Sequence, residues 1–83
     1  MGDVIVIFRI MPETMEDYEG IKKELEKLKP QRLEEDPIAF GIKAWKFTKI
    51  IPDEEGTLPA LEDKLAKIKG IQSVDTITVS RSL

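Results

Sequence analysis

Two acidic clusters are the residues of this 83-residue chain best suited to chemistry, Glu34-Glu35-Asp36 and Asp53-Glu54-Glu55-Gly56. Adjacent carboxylates can share a proton for acid–base work or hold a hard cation. The second cluster lacks the alternating spacing and distal Glu of a calcium loop and reads as a solvated turn. The first has no pocket-forming residues around it and reads as a solvated strand edge. Cysteine and histidine are absent, which removes disulfides, thiolate nucleophiles, Cys/His zinc sites and Ser-His-Asp machinery. The glycines, at Gly2, Gly20, Gly41, Gly56 and Gly70, are too dispersed for a phosphate-binding loop. No catalytic residue, metal site or cofactor is expected.

The conspicuous segment is Asp36-Pro37-Ile38-Ala39-Phe40-Gly41-Ile42, apolar at a strand connection where polar residues are the rule. Phe40 beside Gly41 has two readings: a lid folded back on the core, or a side chain presented to a partner.

The elements that must carry this segment follow from periodicity. Val4 to Met11 is a nearly unbroken β-branched run, a central strand ended by Pro12. Met15, Tyr18, Ile21, Leu25 and Leu28 recur at three- and four-residue steps, one face of a helix opened by Thr14 with Asp17 three residues on and closed by Pro30 after Lys29. Residues 31–38, with their acidic triplet and Pro37, suit an exposed edge strand. Gly41 to Ile51 is a longer strand whose core face carries Trp45 and Phe47 beside Lys43, Lys49 and Ile51. Pro52 to Gly56 is a turn, Thr57 caps a second helix carrying Leu58, Leu61, Leu65 and Ile68, and Gly70 fits its C-cap. Val74 to Val79 is the last strand, leaving Ser80 to Leu83 as a tail.

That order is βαββαβ, two βαβ halves whose right-handed crossovers put both helices on one side of a four-stranded antiparallel sheet. It predicts an α+β, ferredoxin-like sandwich with the first and third strands central. A length of 83 residues allows one core, hence a single domain over 1–83.

With 13 basic against 16 acidic residues the chain carries net charge −3, which disfavours broad nucleic-acid binding. The alternative of an RNA-binding module fares poorly. Its third-strand signature, laid on Ile38 to Trp45, matches Phe40, Gly41 and loosely Trp45, but Ile38, Ile42 and Lys43 replace the basic, stacking and valine positions. RNA would then have to use the sheet face bearing Lys46. The longest apolar run, Val4 to Phe8, is far short of the ~20 residues of a membrane helix. Asp3 and the lack of a basic start argue against a signal peptide, and Val6 stands where an N-myristoylation motif needs Ser or Thr. No membrane partner and a cytoplasmic location are expected.

Four motifs carry a resemblance along the chain: Gly2-Asp3-Val4-Ile5-Val6, Met11-Pro12-Glu13, Pro37-Ile38-Ala39-Phe40-Gly41-Ile42 and Gly70-Ile71. The chain resembles the archaeal elongation factor 1-beta family, guanine-nucleotide exchange factors for the GTPase elongation factor 1-alpha. The resemblance implies the ferredoxin-like fold and an exchange role without covalent chemistry. It further implies that the segment holding Pro37, Ile38, Phe40 and Gly41 meets the GTPase, with Phe40 near its magnesium and phosphate site. The family also brings a basic residue of the extreme C-terminus to that site. Here the penultimate residue is Ser82 and Arg81 precedes it, so Arg81, Ser82 and Leu83 form the candidate tail contact, beside the plainer reading of Arg81 as a solvated charge.

Overall fold

A computed structural model describes residues 2–81. Four strands, β1 (Asp3–Pro12), β2 (Arg32–Ala39), β3 (Ile42–Pro52) and β4 (Ile71–Ser80), alternate with helices α1 (Tyr18–Lys27) and α2 (Thr57–Ala66). They form one sheet in the order β2-β3-β1-β4, every neighbouring pair antiparallel. β1 and β3 are central, and this is the ferredoxin-like α+β sandwich expected from the element order.

Alternation along the central strands decides which face is covered. Val4, Val6, Phe8 and Ile10 of β1 are buried, as are Trp45, Phe47 and Ile51 of β3. The register sets Phe8 beside Phe47 and Ile10 beside Trp45. The helices close this face with Tyr18, Ile21 and Leu25 of α1 and Leu61 and Leu65 of α2. Burying such side chains contributes about 1.5–3 kcal/mol each. Lys49 also points inward, but its Nζ donates to the carbonyl oxygens of Leu28 (2.9 Å) and Lys29 (3.2 Å). It thereby satisfies carbonyls left without partners at the end of α1.

Several element ends differ from the sequence expectation. The first helix begins with a 3-10 turn, Met15–Asp17, whose tighter winding turns Met15 off the core face and leaves it 40% exposed. Thr14 does not cap the backbone; its hydroxyl donates to the Asp17 carboxylate at 3.1 Å. The helix stops at Lys27, before Pro30, because Lys29 takes a positive φ of 55°. Thr57 is the first helical residue of α2, and the N-cap is Gly56, at φ 86°. Gly70 is not the cap of α2, which ends at Ala66. It sits in the turn before β4 at φ 93°, where a Cβ would come 2.9 Å from the Asp17 side chain, and its carbonyl accepts the Glu13 N–H at 2.7 Å. β4 runs longer than 74–79, and a register shift opposite Ile7 and Phe8 leaves Ile77 without a partner.

Candidate functional site

The hairpin joining β2 to β3 is built to hold one side chain in water. Ala39 pairs with Ile42, so only Phe40 and Gly41 form the loop, with φ of 48° and 80°. Two successive positive φ values are those of a type I′ turn, the two-residue loop that matches strand twist and normally takes Asn-Gly. Glycine adopts this backbone freely. For a residue with a Cβ the left-handed region costs about 1–2 kcal/mol. Phe40 gains nothing in return from the fold, being 102% exposed. The reading of Phe40 as a lid over the core is therefore overturned.

Beside the tip, Ile38 is 43% and Ile42 47% exposed. Pro37 is tolerated because β2 is an edge strand, where a missing N–H breaks no ladder, and Ile38 occupies the register shift between Pro37 and Ala39. Behind the tip the hairpin is tied to α1. The Tyr18 hydroxyl donates to the Glu35 carboxylate at 2.9 Å, and Lys43 Nζ lies 3.6 Å from the same carboxylate. The Tyr18 ring stacks on Trp45 with centroids 4.3 Å apart and planes at 16°, while the Trp45 indole N–H donates to the Tyr18 carbonyl at 3.0 Å. Burial, then the Glu35 hydrogen bond and charge, push the Tyr18 hydroxyl's pKa well above 10.0. On the open face Arg9 Nε meets Asp36 at 2.9 Å. All three carboxylates of the 34–36 cluster stand in ion pairs, Glu34 with Arg32 at 3.9 Å, Glu35 with Lys43 and Asp36 with Arg9, along the solvated edge strand expected. Among the described residues no acidic group gathers in a metal-holding cluster, and 53–56 is the exposed turn expected.

Arg81 lies elsewhere. It follows β4 and its Nε sits 3.3 Å from Asp53, at the end of the sheet where Asp3 pairs with Pro52. Phe40 is at the opposite end of β3, an 11-residue strand and therefore roughly 35 Å away, in a molecule 41 Å long. The structure brings Pro37, Ile38, Phe40 and Gly41 together but does not bring Arg81 to them. Ser82 and Leu83 lie outside the described residues.

The RNA-type platform is not formed. Phe8, Tyr18, Trp45 and Phe47 are all buried, so no aromatic ring lies on the open sheet face around Lys46. Nor is any helix of the described residues long and apolar enough to cross a membrane.

The described residues thus form a ferredoxin-like domain whose β2–β3 hairpin ends in an exposed aromatic tip. Residues 5–81 match the EF-1 guanine nucleotide exchange domain. Curated relatives are similar over almost their full length. The elongation factor 1-beta of Methanoregula boonei is 40% identical over 96% of this chain and 98% of its own. That of Methanosarcina mazei is 38% identical over 98% and 99%, and that of Methanothermobacter thermautotrophicus 34% identical over 98% of each. The chain belongs to the family of EF-1 guanine nucleotide exchange domains.

Proposed function

We propose that this protein accelerates the exchange of GDP for GTP on elongation factor 1-alpha, gripping the GTPase at two places. The observation that carries the reading is Phe40, fully exposed and held at positive φ on the hairpin tip, in a chain whose family is an exchange domain. An exchange factor needs no covalent chemistry. It binds the GTPase better when nucleotide or magnesium is gone, and reciprocity then weakens nucleotide binding by the same factor.

Because the two candidate contacts stand at opposite ends of the sheet, one nucleotide site cannot receive both. The chemistry of each end divides the work. Arg81, more than three-quarters exposed and engaged only with Asp53 among the described residues, suits the magnesium and phosphate side, where a guanidinium replaces part of the metal's charge on the phosphates. Phe40 suits an apolar pocket elsewhere on the GTPase and anchors the body of the domain. A thousandfold acceleration needs about 4 kcal/mol of differential binding, and burying one Phe offers about 1.5–3 kcal/mol. Phe40's share is affinity common to both states of the GTPase, so the differential part falls to Arg81 and the surface around it.

The test is release of fluorescent GDP as a function of exchange-factor concentration. Loss of Phe40 raises the half-saturating concentration and spares the limiting rate, as loss of uniform binding does, whereas loss of Arg81 lowers the limiting rate. No acceleration by the wild-type protein refutes the reading.

A further inference from the structure

The large hydrophobic side chains left exposed are not scattered. Of the six that stand out among the described residues, Met15, Ile38, Phe40 and Ile42 gather at the hairpin end of the sheet. Two of them, Met15 and Ile42, line a cleft of about 170 Å³ together with Met11 and Pro12 and the polar Glu13, Thr14 and Gln72. The cleft exists because the 3-10 turn rolls Met15 out of the helix's core face while Met11 and Ile42, alternating outward on β1 and β3, open beneath it. Ile42 closes the hairpin opposite Ala39, so the cleft begins two residues from the Phe40 ring. A knob and a socket thus occupy the same end of the molecule. Thioether side chains re-pack easily around an incoming group, and a joined apolar patch of this kind marks an interaction surface where isolated exposed residues do not.

We propose that this cleft receives an aliphatic side chain from the same partner surface that Phe40 enters, so that the two proteins interlock in both directions. The occupant follows from continuity: whatever surface takes up Phe40 lies against Ile42 and is brought over Met11 and Met15. The inference rests on the exchange reading above and adds Met11, Met15 and Ile42 to the surface that recognises the GTPase.

The experiment combines Met15→Ser with Ile42→Thr, substitutions at side chains already 40% and 47% exposed, the second retaining strand propensity. Affinity for nucleotide-free elongation factor 1-alpha is measured for each, with GDP release followed in parallel. The wild-type protein, labelled at its methionine methyls, is titrated with the same GTPase. Met15→Ser is expected to weaken binding about five- to tenfold, equivalent to about 1–1.4 kcal/mol, and the Met11 and Met15 methyl resonances to shift on binding. If the wild type accelerates release and Phe40→Asn weakens binding, but Met15→Ser binds as the wild type does and the methyls stay unmoved, the cleft is overturned and the exchange reading stands. If the wild type does not accelerate release, the exchange reading falls and the cleft falls with it.

Discussion

Replacing Phe40 by asparagine should make this protein more stable and less active. The structure supplies both signs. Phe40 occupies the first central position of a two-residue loop at φ 48° and makes no packing contribution at 102% exposure. Its strain of about 1–2 kcal/mol is the cost of a Cβ in the left-handed region. Asparagine tolerates that region through local hydrogen bonding and, before Gly41, gives the preferred type I′ pair. Recovering half of the strain stabilises the fold by about 0.5–1 kcal/mol, a rise in melting temperature of about 2–8 °C for a domain of this size. The ring removed would have contributed about 1.5–3 kcal/mol on burial in a partner, so exchange at sub-saturating concentration should fall about 10- to 150-fold. Thermal unfolding and GDP-release kinetics on one preparation read both quantities. A melting temperature lowered by several degrees would mean the ring packs on its own fold. Unchanged exchange would mean that it anchors nothing.

Arg81→Ala should lower the melting temperature by no more than about 4–8 °C, since an exposed ion pair such as that with Asp53 is worth at most about 1 kcal/mol. It should also lower the limiting exchange rate and its sensitivity to salt, both read from release kinetics at two ionic strengths. Tyr18→Phe removes the hydrogen bond to Glu35 and should cost about 1 kcal/mol at neutral pH in a denaturant titration. The folded state holds the Tyr18 proton beyond the ordinary value of 10.0, so its contribution is complete below pH 10 and is lost as pH climbs above it. Melting curves of the variant should therefore fall less steeply than the wild type's above pH 10. Gly70→Ala forces a Cβ to 2.9 Å from Asp17 at φ 93° and should destabilise by about 1–3 kcal/mol, visible as a lowered melting temperature.

The sheet and its core were legible because the signals were redundant. Val4 to Met11 could only be a central strand, and the face bearing Trp45 and Phe47 is the buried one. What misled were ends. Thr14, Thr57 and Gly70 each fit a cap by residue type, yet a 3-10 turn, a left-handed Gly56 and the close approach to Asp17 decide those positions, and all three depend on tertiary neighbours. Met15 fits the helical period and still faces water for the same reason. At the candidate site the sequence marked Phe40 as conspicuous without choosing between core and surface. The choice comes from pairing Ala39 with Ile42, which leaves a loop too short for the ring to fold back. Alternation along 33–35 puts Glu35 on the face of Leu33, a signal that could have revealed its bond to Tyr18. The distance between Phe40 and Arg81 follows from the length of β3 and the direction of β4, and it was within reach of the element order alone.

Magnesium dependence tests the central claim most directly. Release of fluorescent GDP from elongation factor 1-alpha is followed with and without this protein, first in magnesium and then in excess chelator. The account predicts strong acceleration while the metal is present and a much smaller added effect once it has been stripped, because the protein then has less metal-held affinity left to remove. Release that is unchanged by the protein in both conditions would contradict it.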